Sequence, residues 1–96
     1  MAYGLLTPRF KLGRTVATAG AVALGVDLIP FLRKHHCGEW GDLSDDDKKA
    51  NEDALATDLR ILSKYHVKDE AGRAYPIYVI TEHDRSLTSV MLASEY

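Results

Sequence analysis

The feature that most constrains this chain is a two-residue period of hydrophobicity in its second half. In the stretch "LRILSKYHVK", residues 59–68, apolar and polar side chains alternate, with Leu62 as the exception. The polar positions are basic: Arg60, Lys64, His66 and Lys68. Alternation of this kind indicates a β-strand with one buried and one solvated face. The stretch therefore predicts a strand whose basic face meets solvent.

Two more strands are predicted beyond this one, separated by turns. The stretch "YPIYVITE", residues 75–82, is apolar on both faces, and "LTSVMLA", residues 87–93, follows it. The intervening "DEAGR" and "HDRS" have the composition of hairpin turns. A strand buried on both faces belongs in the middle of a sheet, and Pro76 stands at its start, where a missing N–H matters least. We predict an antiparallel three-stranded meander with residues 75–82 in the centre.

The first half of the chain predicts short helices. In residues 18–25, Thr18 can cap a helix by accepting from a free N–H, and Gly25 can end it. In residues 27–38, Asp27 is a candidate cap, and Pro30 falls in the first turn, where proline is tolerated. The apolar face of this second helix consists of Leu28, Phe31, Leu32 and His35. Both segments are predicted helices that pack on the meander.

The stretch "LSDDDKKANEDALATD", residues 43–58, predicts the longest helix. Ser44 is its predicted cap, and the aspartates that follow fill the first turn, where the helix dipole favours negative charge. Its apolar face is small, comprising Ala50, Ala54 and Leu55, so we expect the helix to lie flat on the sheet. The predicted fold class is α+β: two or three short helices on an antiparallel three-stranded meander. Residues 10–17 are a candidate for a short extra edge strand.

Length and charge narrow the function classes. Ninety-six residues predict one domain, residues 1–96, with residues 1–9 as a loose N-terminal arm. The net charge of −2 and the pI of about 6.0 provide no chain-wide basic field of the kind that attracts nucleic acid. The single cysteine, Cys37, fits a reducing compartment, and the apolar stretch 15–32 is interrupted by Asp27 and Pro30. We expect a cytoplasmic protein without a membrane segment, and its oligomeric state is left open.

The stretch "RKHHCGEWGDL", residues 33–43, contains residue types that bind metals or catalyse reactions. His35 and Cys37 are two residues apart, so on a helix their side chains diverge, and the pairwise spacing typical of zinc ligands is absent. Cys37 beside His36 is not a nucleophile–base pair for the same reason. We therefore predict no catalytic residue, metal ligand or cofactor, and interpret the stretch as a helix end followed by a turn.

Several residues are candidates for a binding surface instead. Trp40 has two interpretations, a core residue between helix and sheet or an interface anchor. The other candidates for protein binding are acidic or lie in the "TEHDRS" turn: Asp42, Asp45, Asp46, Asp47, Glu82, Asp84 and Arg85. The candidates for an alternative nucleic-acid contact are Arg60, Lys64 and Lys68, although a solvated strand face that resists edge aggregation is the preferred account of them. For Arg85 we predict an ion pair with Asp42 or Glu82 that ties the helical half to the sheet.

Four stretches together resemble a known family. They are "GRTVATAGAVAL", "EWGDLSDDDKKANEDAL", "RILSKY" and "YVITEHDRSLTSVMLASEY", and the resemblance spans roughly residues 11–96. The family is a widespread group of short, uncharacterised bacterial proteins encoded on plasmids and integrative elements. In that pattern His35 and the residues from Trp40 to Leu43 are typical, whereas Ala19, His36, Cys37 and His83 depart from it. The resemblance implies a genetic context and no catalytic activity.

Three functions remain as hypotheses. The first is a non-enzymatic accessory protein of a mobile element that binds a host or element protein, in its specific form an inhibitor of a defence nuclease of the anti-CRISPR or anti-restriction type. The second is a DNA-associated regulator or maintenance factor of the element. The third is a small enzyme with its site at Glu82, Asp84 and Arg85. We expect the partner to be a protein, with nucleic acid disfavoured.

Overall fold

Residues 7–96 are described by this computed structural model. The chain forms the strand β1 (Arg14–Ala17), the helices α1 (Ala19–Ala23), α2 (Ile29–His36) and α3 (Asp45–Thr57), and then the strands β2 (Ile61–Lys68), β3 (Ala74–Thr81) and β4 (Leu87–Leu92). A 3-10 helix (Ala93–Glu95) follows β4. The predicted α+β class is confirmed, with three helices and four strands in this part of the chain.

The four strands form one mixed sheet in the order β1-β4-β3-β2. The predicted meander of β2, β3 and β4 is present, with β3 in the centre and Val79 opposite both Ser63 and Val90. The predicted edge strand also exists, but β1 pairs in parallel with β4, so the sheet is not wholly antiparallel as the sequence suggested. A four-residue strand with every side chain exposed carries no hydrophobic pattern that would identify its distant partner or direction.

The helix caps follow the sequence closely. Thr18 Oγ1 accepts from the N–H of Ala21, and Ser44 Oγ accepts from the N–H of Asp47, each at 3.1 Å. Asp27 also accepts from a helical N–H, that of Ile29 at 3.0 Å, although the cap position of α2 itself is Leu28. Short polar side chains before a helix satisfy N–H groups that have no partner inside it. These contacts confirm two predicted caps and shift the third by one residue.

The core consists of two clusters on the helix-covered face of the sheet. The larger cluster contains Ala21, Tyr65, Val67, Ile77, Val79 and Val90, and the predicted apolar face of α2 packs on it through Leu28, Phe31 and Leu32. The smaller cluster contains Trp40, Ala54 and Ile61. Burial of these side chains is the main favourable contribution to folding.

Helix α3 is bound to the edge of the sheet rather than lying flat on it. Its buried residues are Asn51 and Ala54, whereas Ala50, which was assigned to the apolar face, is exposed. The Asn51 side chain donates to the C=O of Leu62 at 2.7 Å and accepts from its N–H at 3.2 Å. Because β2 is an edge strand, these backbone groups point away from the sheet. A polar side chain, invisible to a hydrophobic pattern, therefore decides how α3 packs.

The predicted N-terminal arm is partly anchored. Its residues 1–6 lie outside the described residues. The backbone N–H of Arg9 donates to the C=O of His36 at 2.9 Å, and the Arg9 side chain forms an ion pair with Glu52. Residue 9 is thus fixed against both α2 and α3. Among the helices of residues 7–96, none combines the length and apolar character that a membrane-spanning segment requires.

Candidate protein-binding surface

Negative charge is concentrated in residues 39–58. This segment has eight acidic residues and two lysines, a net charge of −6, whereas the rest of the chain has six acidic and ten basic residues, a net charge of +4. All eight acidic residues are exposed: Glu39, Asp42, Asp45, Asp46, Asp47, Glu52, Asp53 and Asp58. We call these eight residues the acidic surface. In space, Arg9 pairs with Glu52 and His66 lies against Asp42, and the other six carboxylates form no ion pair among the described residues.

The first turn of α3 displays Asp45, Asp46 and Asp47 to solvent. Negative side chains at this end of a helix are stabilised by the helix dipole, typically by about 0.3–1 kcal/mol each. This local effect explains why the chain tolerates three adjacent carboxylates. Their exposure leaves all three accessible to a partner.

Two shallow hollows border the acidic surface. The first, of about 220 Å³, is lined in part by Glu39, Asp42 and the ring of Tyr65. The second, of about 310 Å³, is lined in part by Asp47 and Tyr78. The second hollow combines a carboxylate with the half-buried ring of Tyr78, and both groups attract lysine or arginine side chains. In the first hollow Tyr65 is only 5% exposed, and Lys34 also lines the wall.

Trp40 belongs to the core and not to the surface. It is 5% exposed, and its ring packs with Ala54 and Ile61. Its indole N–H donates to Glu52 Oε2 at 2.9 Å, and the same carboxylate accepts two bonds from Arg9, at 2.7 and 2.8 Å. The hydrogen bonds from Arg9, more than that from Trp40, hold the pKa of Glu52 below its ordinary value. Of the two interpretations of Trp40, the core residue fits this placement and the interface anchor does not.

The turn at residues 40–42 closes part of the edge of β2. Lys64 donates its N–H to the C=O of Trp40, and its own C=O accepts from the N–H of Asp42 at 2.7 Å. Gly41 makes this approach feasible, because its φ is +78° and a Cβ there would lie 1.9 Å from the Lys64 oxygen. The Asp42 carboxylate is 2.7 Å from Nδ1 of His66. Asp42 is therefore held in place while remaining exposed.

Arg85 does not form the predicted ion pair with Asp42 or Glu82. Its guanidinium donates instead to backbone carbonyls, reaching Ala54 at 2.9 Å and Leu59 at 2.7 Å. Ala54 lies in the last turn of α3 and its C=O also accepts from the N–H of Asp58, whereas Leu59 lies just beyond the helix. The prediction that Arg85 ties the helical half to the sheet fits these contacts, but the acceptors are main-chain oxygens. Side-chain patterns in a sequence do not reveal which carbonyls a fold leaves unpaired.

The proposed enzymatic group at Glu82, Asp84 and Arg85 is occupied by structural contacts. Asp84 is fully exposed and accepts from the N–H and the hydroxyl of Ser86 at 3.0 and 2.6 Å, which lowers its pKa. Arg85 adopts a left-handed backbone with φ +59° in the same turn. Structural contacts thus account for the side chains of Asp84 and Arg85, whereas Glu82 joins the hairpin through its backbone, with its N–H donating to the C=O of Leu87 at 2.9 Å.

The predicted basic row lies on the outer face of the sheet. Lys68 is exposed and Lys64 is partly buried in β2, while Arg60 precedes the strand and donates to the hydroxyl of Tyr96. The rings of Tyr78 and Tyr96 meet edge to face at 5.2 Å beside it. The structure thus places two aromatic rings near the basic row, which strand alternation alone did not predict.

A chain of buried hydrogen bonds around His35 was missed by sequence analysis. His35 Nδ1 lies 2.6 Å from Ser63 Oγ, and Nε2 lies 2.8 Å from Thr81 Oγ1. Thr81 Oγ1 is 2.7 Å from Thr88 Oγ1, which donates to the C=O of Leu12 at 2.7 Å. The four side chains in this chain are all 0% exposed. Hydroxyl residues at inward positions of three neighbouring strands were the available signal.

The directions of these bonds fix the protonation of His35. Thr88 gives its hydroxyl proton to a carbonyl, so it accepts from Thr81, which in turn accepts from the Nε2–H of His35. Nδ1 is then unprotonated and accepts from Ser63. Burial, with a smaller contribution from the charge of His36, lowers the pKa of His35 to about 3. The imidazole is therefore neutral, and the chain links α2 to three strands and to the segment before β1.

Ser63 and His35 have the hydrogen bond of a nucleophile and its base, but not the accessibility. Because both are fully buried, a substrate cannot reach Ser63 Oγ in this conformation. Within residues 7–96, no three His, Cys, Asp or Glu side chains converge on a point where a metal ion could bind. Cys37 is partly buried at the end of α2. In the stretch 35–37, His35 is thus part of the core, and the two residues after it form the end of α2.

Comparisons with known proteins identify no relative: no family model, curated protein or solved structure matches this chain. The resemblance to proteins of plasmids and integrative elements accordingly remains a prediction from sequence.

Proposed function

We propose that this protein is a non-enzymatic accessory protein of a mobile element that binds a host or element protein through the acidic surface. In its specific form, the proposal is that the bound protein is a defence nuclease, which is thereby inhibited. The observation that supports it is the concentration of eight exposed carboxylates in residues 39–58, against a net charge of +4 in the rest of the chain.

The physical basis is competition with phosphate. Nucleases hold the nucleic-acid backbone with lysine and arginine side chains, and exposed carboxylates offer those side chains the same charge. The hollow beside Tyr78 adds a ring over which a lysine or arginine stem can pack. The acidic surface therefore suits a basic groove on a partner.

The acidic surface is also held in place by the rest of the fold. Asn51 binds α3 to β2, Arg85 binds its C-terminal end, and Arg9 clamps Glu52. A surface that is ordered before binding loses less conformational entropy when the complex forms. This preorganisation supports recognition of a folded partner.

The test is a plasmid-protection assay against type I restriction and CRISPR interference. We expect cells that express the protein to retain a targeted plasmid, and the triple variant Asp45→Asn, Asp46→Asn, Asp47→Asn to lose at least about tenfold of that protection, as expected when several charge pairs are removed. The matched control is Lys48→Gln with Lys49→Gln, which makes the same helix more negative and should retain protection.

Equal protection by the wild type and the triple variant would show that the acidic surface is not the binding surface. Absence of protection against every system tested would remove the defence-nuclease form of the proposal. A pull-down from host lysate with the wild type and the triple variant in parallel then tests the broader form, in which another protein is bound through the same carboxylates.

A second candidate function is contact with nucleic acid at the basic row. The exposed ring of Tyr96, packed against Arg60 and the half-buried Tyr78, favours it, since an exposed ring next to basic side chains can stack on an unpaired base. Asp47, in the hollow that Tyr78 lines, opposes phosphate binding nearby. A gel shift at low salt that weakens with Lys64→Gln and Lys68→Gln supports this function, and no shift at low salt excludes it.

A further inference from the structure

The two outer edges of the sheet differ in how their backbone groups are satisfied. At the β2 edge, Asn51 pairs with the N–H and C=O of Leu62, and the 40–42 turn pairs with those of Lys64. At the opposite edge, β1 is the last strand, and within residues 7–96 no further strand pairs with it. One edge is thus closed by dedicated contacts, and the other is open.

The bonding pattern of β1 shows which groups are open. Arg14 donates to the C=O of Ser86 at 3.0 Å, and Thr18 donates to the C=O of Val90 at 2.9 Å. Along a strand, the backbone N–H and C=O groups of successive residues point alternately toward and away from the neighbouring strand. The N–H and C=O groups of Thr15 and Ala17 therefore point away from β4. All four residues of β1 are exposed. The outer edge of β1 therefore offers two donors and two acceptors to solvent.

An uncharged groove runs beside this edge, between β1 and the start of α2. It has a volume of about 210 Å³, and its lining residues are Thr15, Val16, Ala17, Leu28, Ile29, Leu32 and Val90. Val16 and Ile29 are 38% and 52% exposed, so aliphatic surface is open to solvent beside the edge. Sites for drug-sized molecules are larger, about 300–1,000 Å³, so the groove is suited to side chains.

We propose that β1 and this groove bind an extended, uncharged apolar segment of a partner protein by strand addition. In that mode the partner's backbone pairs with Thr15 and Ala17, and its alternate side chains enter a groove beside the edge. The described residues that line the groove include no charged residue, so a charged side chain that entered it would lose water without gaining an ion pair. The side chains that enter the groove are therefore aliphatic. In the partner segment, aliphatic residues therefore occupy every second position and enter the groove, and the residues between them face solvent.

A second copy of this chain fits the same edge less well. The strand that it would contribute is β1 itself, whose side chains on the groove side are the small Thr15 and Ala17, and these fill less of the groove than longer aliphatic side chains do. The proposed site is also separate from the acidic surface, because α3 is bound at the β2 edge, three strands away from β1. The two surfaces can accordingly be tested independently.

The probe is a capped six-residue peptide of alternating valine and threonine, titrated into the full chain and followed by the amide signals in NMR spectra. We expect saturable binding in which the amides of Thr15 and Ala17 shift. The control is the same peptide with its backbone nitrogens methylated, which retains the side chains and cannot donate; it should show no saturable binding.

Two variants separate backbone from groove contributions. Ala17→Pro removes one outward N–H at an edge position where proline is tolerated, and should weaken binding about two- to tenfold. Ile29→Lys places a charge at the groove and should also weaken binding, and it remains informative where Ala17→Pro fails to fold. The triple aspartate variant of α3 should bind the peptide as the wild type does.

Three results overturn the proposal. The first is no binding of the peptide at its solubility limit, and the second is equal binding of the N-methylated peptide. The third is a concentration-dependent dimer of the unliganded protein in analytical ultracentrifugation that Ala17→Pro abolishes, since that result assigns the edge to a second copy of the chain.

Discussion

At the scale of single residues, the most consequential group is the buried chain from Ser63 through His35 to Thr88. Every hydrogen in it has an assigned acceptor, so the removal of one hydroxyl leaves a neighbouring buried group unpaired. Thr81 is the central member, because it accepts from His35 and donates to Thr88. Unsatisfied buried polar groups are destabilising because they lose water and gain nothing in return.

We expect Thr81→Val to lower the free energy of unfolding by about 1–3 kcal/mol, the range for a buried donor left without an acceptor. Urea denaturation measures the effect. Thr57→Val is the control, because the Thr57 hydroxyl likewise donates a hydrogen bond, to the C=O of Asp53, but at an exposed position. Its effect should stay within about 0.5 kcal/mol. A Thr81→Val midpoint as high as that of the control would contradict the role of the chain.

At the scale of elements, α3 is attached to the sheet by polar contacts at both its middle and its end. Arg85 extends from the β3–β4 hairpin to the carbonyls of Ala54 and Leu59. A lysine has the same charge but cannot bond several carbonyls with a planar group. We expect Arg85→Ala to destabilise the protein by about 1–3 kcal/mol, the range for hydrogen bonds from a charged donor, and Arg85→Lys to recover only part of the loss. Full recovery by lysine in urea denaturation would show that charge alone matters.

Asn51 provides the second prediction at this scale. Its amide covers the Leu62 backbone at the β2 edge, so Asn51→Ala should both destabilise the fold and expose an edge that pairs with other chains. We expect a loss of about 1–2 kcal/mol in urea denaturation, together with faster aggregation on heating. Ala50→Ser, one residue away on the exposed side of α3, is the control and should change neither property.

At the scale of the whole molecule, stability should depend on pH through His35. Its pKa is about 3 in the folded protein and 6.5 when unfolded, so below pH 6.5 the unfolded chain binds a proton that the folded chain excludes. Stability is therefore complete above pH 6.5 and falls toward pH 3, by at most about 1.4 kcal/mol per pH unit. Urea denaturation between pH 5 and 7, where carboxylates remain ionised, measures this dependence.

His35→Gln is the matched variant for the pH dependence. Glutamine does not titrate, so this variant should be less stable than the wild type at pH 7 but should lose less of its remaining stability between pH 7 and pH 5. An equal slope in both proteins would mean that another group carries the dependence. Imidazole ¹⁵N chemical shifts of the wild type provide a direct check, and should show His35 neutral at pH 5 with its proton on Nε2.

The fold followed from sequence where the signal was local. The meander was predictable because alternation, turn residues and a doubly apolar central strand all agree. The Thr18 and Ser44 caps were predictable because each accepts from an N–H only three residues away. The parallel pairing of β1 was not predictable, because a four-residue exposed strand carries no pattern. The aspartates of the first turn of α3 were identified from sequence. That all eight acidic residues of segment 39–58 are exposed became evident only from the structure.

What the sequence determined by itself was the type and order of the elements, since backbone propensity and hydrophobic period are properties of neighbouring residues. What only the tertiary structure decided was how polar groups were used. Asn51 pairs with an edge strand, Arg85 with carbonyls in and just after the last turn of α3, and His35 with hydroxyls from two strands. Each of these partners is remote in the chain, and a polar side chain bonds whichever donor or acceptor the fold leaves unpaired nearby. The hydrophobic period of the sequence does not encode which partner each polar side chain bonds, because those partners come together only once the backbone has folded.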